Sequence, residues 1–264
     1  GIALANGFDI ETYPYVPTTE GTPDVEQILS ALQGVRRGDT VLLQGPCHNP
    51  SGTDLDVEQW LAIADLLKEK GALLFVDIAY QGFGRGLEED LAPIQAALAE
   101  VPEAIITTSC SKNFGLYRER TGALVLLADN AAALDAARSQ AASIIRSSYS
   151  MPPAHGAAIV GTVLEDGELT RLWQDELGGM RRRLNQLRAD FAEAMVKETG
   201  DNRFSRLAKE KGMFSLLPLM PESIRTLRDE HAIYMPNSGR TNIAGLPSER
   251  IQDVAKLIAR QLAG

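Results

Sequence analysis

Lys112 stands in the string Ser109-Cys110-Ser111-Lys112-Asn113-Phe114-Gly115-Leu116-Tyr117-Arg118-Glu119-Arg120-Thr121-Gly122, directly after the β-type run Ala104-Ile105-Ile106-Thr107-Thr108. A lysine at the end of an apolar strand, flanked by small hydroxyl residues and followed by arginine, is poor core design. The same grouping suits an amine that condenses with an aldehyde. Ser109, Ser111 and Arg120 add hydroxyls and a planar guanidinium, which bind a phosphate through paired donors. Together they describe a pocket for a small aldehyde that carries a phosphate. A solvated surface lysine fits poorly with the apolar strand before it.

Other polar side chains fall at similar places. Asn49 follows the short apolar strand Thr40–Leu43, Asp77 ends the run Leu73–Val76, and Lys112 follows Ala104–Thr108. In an open α/β sheet, ligands sit beyond the carboxyl ends of the strands. These residues therefore converge at one sheet edge, whatever their family.

The string around Lys112 resembles the lysine motif of the aspartate and aromatic amino acid aminotransferases, pyridoxal phosphate enzymes of fold type I. Four further segments resemble that family in the same order. Cys47-His48-Asn49-Pro50-Ser51-Gly52 matches its asparagine-proline-glycine turn, and Asp77-Ile78-Ala79-Tyr80-Gln81-Gly82-Phe83 its aspartate-tyrosine strand end. Arg146-Ser147-Ser148-Tyr149-Ser150-Met151-Pro152-Pro153 and Ser238-Gly239-Arg240-Thr241-Asn242-Ile243-Ala244-Gly245 match two more.

The resemblance implies a role for each residue. Lys112 holds the cofactor covalently and, once freed, moves the proton of the substrate. Asp77, expected to be buried, pairs with the pyridine nitrogen. Tyr80 and Asn49 donate to the phenolic oxygen, and Asn49 also helps with the substrate carboxylate. Ser109 and Arg120 hold the phosphate; Ser111 joins them or only shapes the turn, and Arg118 is a surface charge. Arg240 clamps the α-carboxylate, with Phe214 near the substrate pocket. Arg146 reaches the neighbouring subunit's site and binds a distal carboxylate; aromatic-specific relatives keep it and swing it aside. Met151 departs from the asparagine usual before the Pro-Pro pair, so the resemblance fixes side-chain specificity less firmly. The implied activity is transamination between an amino acid, aspartate or glutamate and also aromatic ones, and a 2-oxo acid. The implied assembly is a homodimer with shared sites.

The elements that must position these groups alternate along the chain. Asp9–Val16, Thr40–Leu43, Leu73–Val76, Ala104–Thr108 and Ala123–Leu127 read as strands. Asp24–Gly34, Val57–Lys70 and Glu88–Glu100 read as helices, the last with Pro93 in its early turns; the Ala-rich stretch Asn130–Ala137 also reads as helix. The alternation predicts an α/β fold with a mostly parallel sheet covered by helices. From Glu168 to Glu198, Trp173, Leu177, Met180, Leu184, Leu187, Phe191 and Ala194 mark one helical face. We read this as a core-facing helix, since Gly178-Gly179 interrupts it and it is short for a coiled coil. Met213–Leu217 and Asn242–Ala244 read as strands and Pro221–Glu230 and Ser248–Leu262 as helices of a small α+β domain. The domain reading is residues 1–179 for the large cofactor-binding part and 180–264 for the small part.

Composition narrows the function. The 264 residues carry a net charge of -9, against nucleic acid or an anionic membrane surface as partner. Two cysteines, Cys47 and Cys110, provide no disulfide framework and suit a reducing cytoplasm. His48, His155 and His231 are scattered, so no metal site is expected, and Gly-rich loops for ATP or NAD are lacking. Gly1 is not an initiator methionine, and the resemblance covers only the last two-thirds of the family pattern. A fragment is expected, with a sheet that lacks strands and leaves apolar surface uncovered. Two alternatives share part of this pattern. A lyase or decarboxylase on the same fold keeps Lys112 and Asp77 but need not keep both Arg146 and Arg240. A ligand-sensing domain needs a basic helix-turn-helix segment, which could only lie in the missing part; overall acidity and the full catalytic set argue against it.

Overall fold

The structure is a computed structural model that describes residues 2–262. The first half runs α1 (Ile2–Ala5), α2 (Val25–Leu32), β1 (Thr40–Gln44), α3 (Val57–Lys70), β2 (Leu73–Ile78), α4 (Ala92–Glu100), β3 (Ala104–Ser109) and β4 (Gly122–Leu127). Local chemistry sets the helix ends. Asp56 and Gln59 form a capping box at the start of α3, and Gly71, at φ 65, closes it in the left-handed region. Asp24 accepts the Gln27 N–H and starts α2.

The sheet order is β1-β2-β3-β4. β1, β2 and β3 are parallel, and β4 is antiparallel to β3. Register aligns Gln44 with Asp77 and Asp77 with Thr107, so these three lie abreast near the carboxyl ends. Burial alternates along the strands. Val41, Leu43, Leu74, Val76, Ile78, Ala104 and Ile106 pack with residues of α2, α3 and α4 such as Ile28, Trp60, Ile63, Leu67 and Ile94 in one core. On the sheet's other face Leu42 and Leu124 stay roughly half exposed.

The second half runs α5 (Ala131–Tyr149), α6 (His155–Glu165), α7 (Gly167–Thr199), α8 (Arg206–Lys209), β5 (Phe214–Leu216), α9 (Pro221–His231), β6 (Arg240–Asn242) and α10 (Ile251–Leu262). β5 and β6 form a two-stranded antiparallel sheet. Phe191, Met195, Leu207, Leu227, Ile243 and Ile258 build a second core between α7, α9 and α10. A third, small cluster joins Cys47, Tyr80, Phe83, Leu177 and Leu184 beneath the carboxyl edge of the large sheet. No helix among the described residues is long and apolar enough to cross a membrane.

Three local expectations change. Asp9–Val16 is extended but joins no ladder. Pro14 and Pro17 offer no N–H, and the segment is tied instead by side chains, Tyr13 Oη to the Leu42 carbonyl at 2.7 Å and Tyr15 Oη to the Thr53 carbonyl at 3.1 Å. The helix expected from Glu88 begins at Ala92, with Pro93 in its first turn, where a missing N–H costs nothing. The strand expected over Asn242–Ala244 lies at Arg240–Asn242 and turns into a 3₁₀ helix over Ile243–Gly245. The single long helix expected over Glu168–Glu198 is α7, which runs straight through Gly178-Gly179. Gly178 is buried there, and packing along a 33-residue helix outweighs about 1 kcal/mol of poor propensity per glycine.

Candidate active site

β3 ends at Ser109, which pairs with Gly122 at the start of β4. The Cys110 N–H donates to the Thr121 carbonyl at 3.0 Å. Residues 110–121 therefore form a closed loop beyond the carboxyl ends of the parallel strands, and it carries both Lys112 and Arg120. The Ser111 N–H donates to Ser109 Oγ at 3.2 Å, and Ser111 is buried. Arg120 sits in the left-handed region at φ 54, is exposed, and donates to the Tyr117 carbonyl at 2.9 Å.

Lys112 Nζ lies 4.7 Å from the centre of the Tyr80 ring. Tyr80 meets Phe214 edge-on at 6.4 Å. The Arg240 guanidinium lies 4.8 Å over the Phe214 ring, and its Nη1 donates to Asn49 Oδ1 at 3.3 Å. The structure thus brings Lys112, Tyr80, Phe214, Arg240 and Asn49, drawn from 192 residues of sequence, into one contiguous group. Burial raises the Tyr80 phenol above its ordinary value, against the pull of Asn49 and Arg240.

Asp77 reaches the same edge but differs from expectation: it is exposed, not buried. Its side chain leaves the open face of β2, opposite to Val76 and Ile78, and accepts the Thr107 hydroxyl at 3.2 Å. Arg146 lies in the last turn of α5, a helix with no buried residue. Among the described residues its side chain makes no ion pair or hydrogen bond with the group around Lys112.

The Asn49 turn is held by residues that carried no signal on their own. Gln44 clamps Asn49 from both sides: its Oε1 accepts the Asn49 N–H at 3.0 Å and its Nε2 donates to the Asn49 carbonyl at 2.9 Å. Asp54 accepts the N–H groups of Cys47 and His48 at 2.9 and 3.0 Å. Cys47 is in the left-handed region at φ 64, a strained position that this carboxylate stabilises. Burial lifts the Asp54 carboxyl to about 6, against those two N–H bonds. Burial also lowers His48, stacked on Tyr15 at 3.9 Å, to about 4. After Tyr80, Asp90 plays a similar part, accepting the N–H groups of Gly82, Gly84 and Arg85 at 2.8, 3.1 and 2.7 Å.

Helix α7 supports these loops from behind. Trp173 Nε1 donates to the Asn113 carbonyl at 2.7 Å while its ring stacks on Phe114 at 4.3 Å. Arg181 donates to the Gly82 carbonyl at 2.9 Å. Arg188, fully buried, donates to the carbonyls of Gly212 and Phe214. Trp173 belonged to the apolar stripe read from sequence. Arg181 and Arg188 did not, and an arginine in a helix reads as a solvated face until the fold buries it.

The sequence model described as aminotransferase class I and II matches residues 1–258. The chain is 45% identical to an aromatic-amino-acid aminotransferase of Pseudomonas aeruginosa, over 98% of this chain and 65% of that protein. It is 40% identical to an aspartate aminotransferase of Escherichia coli, over 97% of this chain and 65% of that protein. It superposes, with a TM-score of 0.92 and 36% identity, on an aromatic-amino-acid aminotransferase from Burkholderia pseudomallei covalently bound to pyridoxal phosphate, covering 98% of this chain and 65% of that one. The chain therefore spans just under two thirds of the length of these relatives. A family match over residues 1–258, a shared fold and a lysine-centred group at the carboxyl edge of a parallel sheet agree with one another: the chain belongs to the class I and II aminotransferases.

Proposed function

We propose that this chain forms the larger part of a pyridoxal phosphate-dependent aminotransferase that moves the amino group between an amino acid and a 2-oxo acid. The observation that carries this reading is the contiguous group of Lys112, Tyr80, Phe214, Arg240 and Asn49. The donor set fits the cofactor: an amine, a hydroxyl and a guanidinium on one loop with a second hydroxyl at the strand end before it, a carboxylate at the level of the strand ends, and a phenol and an amide nearby. Pyridoxal phosphate, when bound, supplies an electron sink that stabilises the carbanion formed at the substrate α-carbon.

The chain's own residues do the rest. Lys112 holds the cofactor and then takes the proton from the substrate α-carbon. Asp77 keeps the pyridine nitrogen protonated by its charge, while Tyr80 and Asn49 donate to the phenolic oxygen. Ser109, Ser111 and Arg120 bind the phosphate. Arg240 grips the α-carboxylate as a planar fork, and its contacts with Asn49 and Phe214 limit its swing. Arg146 reaches a partner subunit's site in a homodimer and reads the side-chain carboxylate of aspartate or glutamate, turning aside for an aromatic ring. Residues 1–179 form the cofactor-binding part and 180–264 the small part, in a cytoplasmic enzyme.

The test is the visible absorption spectrum with pyridoxal phosphate, before and after addition of aspartate. A cofactor band that appears on mixing, converts to the amine form with aspartate and is lost in Lys112→Ala supports the reading. An unchanged band in Lys112→Ala overturns it.

A further inference from the structure

Arg188 is fully buried where three segments meet. Its Nε and Nη2 donate to the Gly212 carbonyl at 3.1 and 2.8 Å, and Nη2 also donates to the carbonyls of Lys211 and Phe214 at 2.9 and 2.5 Å. Nη1 donates to Ser215 Oγ at 2.7 Å and lies 3.5 Å from Glu210 Oε2, a buried carboxylate that also pairs with Arg206. The backbone of Gly52 runs beside Nη2. A Cβ at Gly52 would lie 3.1 Å from Arg188 Nη2 and 2.5 Å from the Phe214 carbonyl oxygen. The Lys211 N–H donates to the Gly52 carbonyl at 2.6 Å, and the Gly52 N–H donates to the His48 carbonyl at 2.7 Å, closing the turn that bears Asn49.

One guanidinium therefore backs both the Asn49 turn and the start of β5. These are the two segments whose side chains touch Arg240, Asn49 through its Oδ1 and Phe214 through its ring. A buried ion pair is weak as a source of stability, because desolvating the charges offsets their attraction. What a fully used planar fork supplies is geometry: donors in one plane hold several carbonyls at fixed spacing. We propose that Arg188 is a positioning residue for substrate-carboxylate binding, setting the spacing of Asn49 and Phe214 that orients Arg240. The proposal rests on the reading of Arg240 given above.

The test compares the holoenzyme with Arg188→Lys, which keeps the charge but not the fork, and with the double variant Arg188→Met/Glu210→Gln, which removes both charges of the Arg188 pair and leaves Arg206 its bond to the Leu216 carbonyl. The probe is 3-phenylpropionate, a carboxylate without an amine, titrated by calorimetry. The dissociation constant is expected to rise roughly tenfold or more in both variants, as misplacement of a clamp does, while the cofactor band is retained. Hydrogen exchange at the Lys211 and Gly52 amides is expected to quicken, with exchange in α3 unchanged. Parent-like affinity in either variant overturns the proposal, as does a loss of cofactor band in step with the loss of probe affinity. A parent without a cofactor band refutes the functional reading instead; the exchange rates then still decide whether Arg188 ties the two segments together.

Discussion

The Trp173 indole N–H donates to the Asn113 carbonyl at 2.7 Å, joining residues 60 apart in sequence and fixing the loop that bears Lys112 onto α7. The same ring stacks on Phe114 at an interplanar angle of 12°. Trp173→Phe keeps the stack and leaves the carbonyl without its donor. We expect a loss of about 1 kcal/mol in urea unfolding and weaker retention of pyridoxal phosphate on dialysis. Trp173→Leu, which removes the stack as well, is expected to lose more on both counts. Parent-like retention in the leucine variant would show that the loop is ordered without α7.

Gly52 occupies φ +74 and lies against the Phe214 carbonyl. Gly52→Ala combines a left-handed conformation that alanine resists with a collision against main chain that cannot rotate away. The expected cost is roughly 2–4 kcal/mol, read as a lower urea midpoint. Gly34→Ala, where a Cβ meets nothing within 4 Å, serves as the control and should change little. Equal stabilities for the two variants would contradict the packing described.

Asp54 and His48 make opposite contributions to stability with pH. Burial raises Asp54 from 3.8 to about 6, so the folded protein holds a proton the unfolded chain has released, and the contribution falls as pH rises through that window. Burial lowers His48 from 6.5 to about 4, so the unfolded chain binds the extra proton, and the contribution grows as pH rises through that window. Each amounts to about 3 kcal/mol across its window. Measured as differences from the parent, so that other groups cancel, Asp54→Asn gains stability between pH 4 and 6 and His48→Gln loses it. Parallel profiles for the two variants would refute this assignment.

Arg146 stands on exposed α5 and, among the described residues, makes no hydrogen bond or ion pair with the group around Lys112. If it reads a distal carboxylate across a dimer, Arg146→Ala should lower kcat/KM for aspartate and glutamate about a hundredfold, as loss of a charge-paired clamp does, and that for phenylalanine and tyrosine far less. Equal losses for both substrate classes would remove the dicarboxylate assignment.

Much of the framework was legible in sequence because its signals are local. α3 was read to the residue from the apolar face of Trp60, Ile63, Ala64 and Leu67 and the stop at Gly71, since periodicity and a C-cap are local signals. The carboxyl-edge placement of Asn49, Asp77 and Lys112 followed from apolar runs that end in polar side chains. Asp9–Val16 failed because a strand is defined by a partner, and its tyrosines found side-chain anchors in place of a ladder. Asp77 was expected to be buried, whereas the face it leaves from is open.

By itself the sequence determined the chemistry: which amine, carboxylate, phenol and guanidinium groups are available, and that they lie at the ends of strands in a parallel sheet. Only the tertiary structure decided what holds them. Arg188, Asp54, Asp90 and Arg181 are charged residues that composition alone assigns to the surface. Their tasks arise from main-chain N–H and carbonyl groups brought together from distant segments, as when Arg188 meets Phe214 across 26 residues or Arg181 meets Gly82 across 99. Main-chain polar groups are the same in every residue, so no side-chain pattern records which of them a fold will bury and leave needing a partner.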